Sequence, residues 1–182
     1  MTKDIINTIS SELKPFRREL HANPEVSQNE YKTAERITNY LQANTTASIH
    51  SVGETGVIAV YDSGVPGPTI ILRADSDALP IQEINTFEHR SITDGVSHKC
   101  GHDGHSTIML GVARALEVES IKTGKAILLW QPAEENGMGA QEILDDPYFK
   151  DAFGLCLPPG LQSKKKLSLE IKNYAEKLKK FM

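Results

Sequence analysis

The sequence predicts an α/β fold, and three observations support this prediction. Segments with apolar residues at helical spacing are interspersed with short apolar segments typical of strands. Two of these strands, residues 69–74 and 126–130, are largely apolar, as expected of strands covered on both faces. Each strand is followed at once by acidic residues, where open α/β sheets build their sites.

Composition narrows the class of protein. The 182 residues are long enough for one domain with a real core, and the net charge of -4 argues against a nucleic-acid partner. No apolar run is long enough to span a membrane, and the N-terminus lacks the apolar region of a signal peptide. Two cysteines do not suggest a disulfide framework, so we expect a cytoplasmic protein.

The first third of the chain predicts two helices. Residues 3–21 carry apolar side chains at helical spacing. Ser27 and Glu30 fit a capping box that opens a second helix, whose apolar face contains Tyr31, Ala34, Ile37 and Leu41. His21 is open to two interpretations, a metal ligand or a residue that packs at a helix end.

The remaining elements follow from the same patterns. Strands are predicted at residues 48–52, 56–61, 69–74, 126–130 and 152–157, and helices at residues 106–119 and 138–144. The longer helix should bury the face that contains Ile108, Val112, Ala115 and Leu116. Residues 1–160 are interpreted as the main domain. Residues 161–182 are a lysine-rich tail predicted to be helical, which we expect to dock on the domain or to contact a membrane surface or a partner.

Residues 98–105 (HKCGHDGH) are the densest group of metal-binding side chains. Thiolate, imidazole and carboxylate bind transition metals. Cys100 and His102 are two residues apart, so extended backbone directs both to the same side. A structural zinc site is the alternative, but such sites usually contain Cys-x-x-Cys pairs, and the sequence has none.

Acidic residues after the two apolar strands complete a candidate site. Asp75 and Asp77 follow the first strand, and on this stretch alone a solvated turn is an equal alternative. Glu134 and Glu135 follow the second strand. One of two adjacent carboxylates can bind a metal while the other takes a proton from water.

Four motifs together resemble the metal-dependent amidohydrolases and peptidases that include aminoacylases, hippurate hydrolases and auxin-conjugate hydrolases. The motifs are residues 17–25 (RRELHANPE), 73–81 (RADSDALPI), 98–105 and 131–137 (QPAEENG). They occur in the order of the family. The resemblance implies a three-layer sandwich around a mixed, mostly parallel sheet, from which the family's lid domain is missing here.

The resemblance also implies a chemistry. It implies hydrolysis of the amide bond of N-acyl amino acids or small peptide-like substrates at two divalent metal ions, zinc or manganese. Cys100, His102 and Glu135 correspond to metal ligands, Glu134 to the general base, and Asp77 to the acid that orients a ligand. From composition we expect no nucleic-acid or membrane partner, and the resemblance implies that full-length members can form homodimers.

The chain departs from the family pattern in two places. Cys156 stands where a histidine ligand is expected, and full-length members are longer and supply a lid and a last histidine ligand. We therefore interpret the sequence as part of such an enzyme, which holds one ion and has impaired activity. The alternative is a non-catalytic remnant that binds metal or a partner.

Overall fold

The computed structural model describes residues 2–152. The helices are α1 (Lys3–Ala22), α2 (Tyr31–Asn44), α3 (His102–Val118), α4 (Gly139–Asp145) and α5 (Pro147–Ala152). The strands are β1 (Ser48–Val52), β2 (Gly56–Asp62), β3 (Thr69–Asp75) and β4 (Lys125–Gln131). The chain divides into two compact units, Met1–Asp146 and Pro147–Met182. All elements below except α5 belong to the first unit.

The four strands form one mixed sheet in the order β1-β2-β4-β3. β1 and β2 are antiparallel, as are β2 and β4, whereas β3 and β4 are parallel. The predicted α/β fold with a mixed sheet is confirmed. The sheet is less parallel than expected within the described residues, because the short turn between β1 and β2 can join only antiparallel strands.

The core lies between one face of the sheet and helices α1, α2 and α3. Large buried side chains on that face include Tyr61, Leu128 and Trp130, and the helices contribute the following residues: Ile9, Leu13, Ile37, Leu41, Met109, Leu110 and Ala113. Ile58 and Ile127 are also fully or almost fully buried, and they alternate along their strands with residues of the core face. The central strands β2 and β4 are therefore covered on both faces, as the middle layer of a sandwich requires.

Two predictions of burial were wrong. Ile70 and Ile71 of β3 are 51% and 37% exposed, because β3 is an edge strand of the described sheet. Ile108 of α3 is 64% exposed, because the helix buries Met109, Leu110 and Ala113 instead. An apolar run does not distinguish an edge strand from a central one.

Several predictions fall beyond the described residues. Ala152 ends α5, and the remainder of the strand predicted at residues 152–157, with Cys156, lies outside them. The lysine-rich tail also lies outside, so the domain boundary at residue 160 stays a prediction. No helix among residues 2–152 is long and apolar enough to cross a membrane.

Candidate metal centre

The parallel pairing of β3 and β4 places two acidic loops side by side. Asp75 is in register with Gln131 at the ends of these strands, and the Ser76 N–H donates a hydrogen bond to the Gln131 carbonyl oxygen at 3.1 Å. Asp77 lies two residues after Asp75, and the Glu134–Glu135 pair begins three residues after Gln131. The Glu135 N–H donates to Asp77 Oδ2 at 3.0 Å, which joins the two loops.

Residues 98–105 form a loop that becomes α3 at His102. We predicted that this helix begins near Ser106, but it begins one turn earlier. Gly101 has φ 90°, a left-handed conformation that favours glycine, and it turns the backbone into the helix. The Ser106 hydroxyl donates to the Asp75 carbonyl oxygen at 2.8 Å, and Trp130 Nε1–H donates to the Ser106 carbonyl oxygen at 3.1 Å. These bonds hold the first turns of α3 against the ends of β3 and β4.

His102 is oriented by Asp77. His102 Nδ1 lies 3.1 Å from both the carboxylate Oδ1 and the carbonyl oxygen of Asp77. Both partners are acceptors, so Nδ1 carries a hydrogen, and Nε2 is the nitrogen available to a metal once its own proton is lost. Burial alone lowers the pKa of His102, but its hydrogen bond with Asp77 and the neighbouring Cys100 and Asp75 side chains raise the pKa to about 11. This negative surrounding also favours a bound cation.

Two groups of side chains have the spacing of a metal site among the described residues. In the first, ligand atoms of Cys100, His102 and Glu135 all lie within 4.8 Å of one another. In the second, ligand atoms of Asp75, His102 and His105 satisfy the same criterion. Both groups include His102, so they are alternatives for one ion at its Nε2 nitrogen.

Glu134 lies beside the first group. Its Oε2 is 3.9 Å from His102 Nε2, and the Glu135 Oε1 is 3.8 Å from the same nitrogen. The Glu134 side chain is 42% exposed, so water and a substrate can reach it. The structure thus brings together all five residues that the sequence singled out: Asp77, Cys100, His102, Glu134 and Glu135.

The predicted capping box at Ser27 and Glu30 was wrong. The Ser27 hydroxyl donates to Asp77 Oδ2 at 2.7 Å, and Glu30 accepts the Ala133 N–H at 2.7 Å. The start of α2 is capped instead by Glu25, which accepts the N–H groups of Lys32 and Thr33 at 3.2 and 2.7 Å. Long-range partners outcompete the local cap because they satisfy buried polar groups.

A second polar cluster lies behind the start of α3. His21 Nδ1 is 2.9 Å from Asp103 Oδ2, and His21 Nε2 is 3.3 Å from Glu83 Oε2. Lys99 Nζ pairs with Glu83 Oε1 at 2.6 Å. Burial raises the pKa of Glu83, but Lys99, the Ser91 N–H and further donors hold it at about 2. His21 is in neither candidate metal group, and its carboxylate contacts support the packing interpretation.

From the sequence we predicted neither the pairing of Asp75 with His105 nor the polar cluster. His102 and His105 are one helical turn apart, so the second group is visible only once α3 is known to begin at His102. Glu83 lies in an irregular loop, where no periodic pattern predicts its partners. His98 is buried, which lowers its pKa to about 4, and neither ring nitrogen has a hydrogen-bond partner.

Comparison with known proteins identifies relatives of this arrangement. The model of peptidase family M20/M25/M40 matches residues 71–177. "IAA-amino acid hydrolase ILR1-like 6" of Arabidopsis thaliana is 42% identical over 140 residues, which are 76% of this chain and 30% of that protein. The "N-acyl-L-amino acid amidohydrolase" of Geobacillus stearothermophilus is 41% identical over 147 residues, 78% of this chain and 40% of that protein.

A solved structure gives the same result. The Bacillus subtilis YXEP protein, described as a dinuclear metal-binding peptidase of the M20 family, is 38% identical to this chain with a TM-score of 0.71. The match covers 76% of this chain and 39% of that protein. The chain thus spans 30–40% of the length of these relatives.

Proposed function

The chain belongs to peptidase family M20/M25/M40, and on this basis we propose that it carries the metal-binding part of an amidohydrolase. The substrates we propose are N-acyl amino acids and related small amides, in line with the names of the relatives. One observation carries this proposal: ligand atoms of Cys100, His102 and Glu135 lie within 4.8 Å of one another, with Glu134 beside them. We further propose that the protein acts in the cytoplasm.

The donor set fits a divalent transition metal. Thiolate, imidazole and carboxylate together suit zinc, and manganese accepts the two harder ligands. We favour the first group over the second because Arg73 pairs with Asp75 and His105 is 46% exposed. The described residues would then hold one ion at His102, whereas the complete family site would hold two.

The residues of the candidate site have different proposed roles in hydrolysis. A divalent ion here supplies positive charge that polarises an amide carbonyl and lowers the pKa of water. Glu134 is the base that takes a proton from the attacking water and returns it to the leaving nitrogen. Asp77 fixes the tautomer and direction of His102, so its contribution is positioning.

Elemental analysis tests the metal site. Protein purified without chelator should contain a divalent ion, and the double variant Cys100→Ala, His102→Ala should contain little. The matched control is His105→Ala, which removes an imidazole from the second group only and should retain the ion. Equally low metal in the wild type and the double variant would refute the proposal, and loss of the ion in His105→Ala would favour the second group.

Hydrolysis of N-acetyl and N-benzoyl amino acids with added zinc or manganese tests the activity. We expect slow turnover by this chain, because the described residues offer ligands for one ion. Any turnover should disappear in Glu134→Gln, which retains the metal but lacks the base. Metal binding with no turnover in the wild type would support the alternative, a metal-binding protein without catalytic activity.

A further inference from the structure

Glu30 is a buried carboxylate that belongs to neither candidate metal group. Its side chain is fully buried. Glu30 Oε1 accepts the Ala133 N–H at 2.7 Å, and Glu30 Oε2 accepts the Thr55 hydroxyl at 3.0 Å. A buried carboxylate is costly unless hydrogen bonds compensate it, so its position calls for an explanation.

The residue that Glu30 holds has an unusual backbone. Ala133 has φ 50°, a left-handed conformation that non-glycine residues rarely adopt. It is fully buried, and its carbonyl oxygen accepts the Gly139 N–H at 3.0 Å. Both of its peptide groups are therefore fixed, and the conformation of Ala133 sets the direction in which the chain enters Glu134 and Glu135.

The same segment also reaches the other acidic loop. Ser27 donates to Asp77 Oδ2, the oxygen that also accepts the Glu135 N–H. Residues 27–30 thus contact the loops after β3 and β4 together. Within this segment, Glu30 contacts the loop that carries Glu135, through its hydrogen bond with the Ala133 N–H.

We propose that Glu30 is a positioning residue, which holds Glu135 at the ligand distance from His102 by fixing the backbone of Ala133. This inference rests on the proposed metal site. Without Glu30, the Ala133 N–H would be buried without an acceptor, and the turn would relax away from the strained conformation. Glu135 would then leave the position at which it completes the group with Cys100 and His102.

A double-mutant cycle on metal affinity distinguishes positioning from general destabilisation. We expect Glu30→Ala to weaken zinc binding by about 10- to 100-fold, the usual effect of removing a residue that orients a ligand. In a Glu135→Ala background, Glu30→Ala should change the zinc Kd little, because its effect acts through Glu135. If the double variant instead showed the product of the two single-variant fold-changes in zinc Kd, the proposal would be overturned.

Three further variants serve as controls. Glu30→Gln retains an oxygen that can accept the Ala133 N–H, so it should keep affinity near that of the wild type. Leu41→Ala removes a buried apolar side chain of the core, which has no polar atom that could hold either acidic loop. It should therefore destabilise the protein without changing its affinity for zinc. Glu30→Asp shortens the side chain and should weaken binding, and it replaces Glu30→Ala if that variant does not fold.

Cobalt spectroscopy gives an independent readout. Cobalt bound to Glu30→Ala should show the ligand-field bands of cobalt bound to Glu135→Ala, with the thiolate charge-transfer band of Cys100 retained. A wild-type spectrum in Glu30→Ala would refute the positioning role. If the wild type binds no metal, the proposed function fails; if it binds metal and only Glu135→Ala weakens it, this inference alone fails.

Discussion

Asp77 illustrates how one side chain can serve both the fold and the candidate site. Its carboxylate faces His102 through Oδ1 and accepts hydrogen bonds from Ser27 and the Glu135 N–H through Oδ2. Burial raises the pKa of Asp77, but these hydrogen bonds outweigh it and lower the pKa to about 2. Asp77 therefore stays ionised across the physiological range and keeps its hydrogen bond with His102 Nδ1.

Glu83 leads to a prediction about acid stability. Its pKa falls from an ordinary 4.5 to about 2 in the folded protein, because Lys99 and several other donors favour the carboxylate. Its stabilising effect is complete above the unfolded value and is lost as pH falls from 4.5 towards 2. Glu83→Gln should lower the free energy of unfolding by about 2 kcal/mol at pH 7.

Urea denaturation between pH 7 and pH 3 checks this prediction. The difference in unfolding free energy between the wild type and Glu83→Gln should shrink as the pH falls through this range. Asp62→Asn is the control, because Asp62 pairs with Lys125 at the surface and its loss should matter little at any pH. A difference for Glu83→Gln that stays constant with pH would contradict the role of its charge.

At the scale of elements, the sequence predicted what depends on neighbouring residues and missed what depends on distant ones. The strands and the helices α1, α2 and α4 were predicted because apolar periodicity is a local signal. The start of α3 was missed because Gly101 and the long-range hydrogen bonds of Ser106 with Asp75 and Trp130 define it. The exposure of β3 was missed because a sequence does not show which strand lies at an edge.

Two glycines, Gly139 at the turn between β4 and α4 and Gly111 within α3, should respond differently to substitution by alanine. A Cβ at Gly139 would overlap the Pro132 carbonyl oxygen, which is backbone and cannot move aside cheaply. A Cβ at Gly111 in α3 would meet Leu13 at an ordinary 3.5 Å. We expect Gly139→Ala to destabilise the protein by about 2 kcal/mol and Gly111→Ala to stabilise it by about 0.5–1 kcal/mol.

Thermal or urea unfolding of both glycine variants provides the measurement. Gly139→Ala should also weaken zinc binding, because Gly139 closes the turn that carries Glu134 and Glu135. Gly111→Ala should leave zinc binding unchanged, since Gly111 lies two turns beyond the candidate ligand His102 in α3. A Gly139→Ala variant as stable as the wild type would show that the turn is not as tightly constrained as the backbone contacts imply.

At the scale of the whole molecule, topology assembles a site from residues far apart in sequence. The proximity of Asp77, Cys100, His102, Glu134 and Glu135 was predictable because acids after adjacent strands meet at one sheet edge. The contact between Glu30 and Ala133 was not, since it joins residues 103 positions apart without any recurrent motif. The motifs thus indicated the candidate ligands, and the fold revealed the contacts that hold these side chains in place.

Metal binding should stabilise the whole unit if the site is formed in the folded state. A ligand that binds only the native chain adds about 2.7 kcal/mol at a free concentration 100 times its Kd. For a chain of this size, that free energy corresponds to a rise in Tm of about 5–10 °C. Zinc should therefore raise the Tm of the wild type, and the double variant Cys100→Ala, His102→Ala should show no rise.

Glu134→Gln makes this last experiment specific for the assigned roles. Glu134 is proposed as the base and Glu135 as the ligand, although both carboxylates lie within 4 Å of His102 Nε2. Glu134→Gln should consequently keep the rise in Tm, and Glu135→Gln should lose most of it. The two variants remove the same charge from adjacent positions, so electrostatic attraction alone would reduce the rise about equally in both. The reverse order of effects would exchange the roles of the two glutamates.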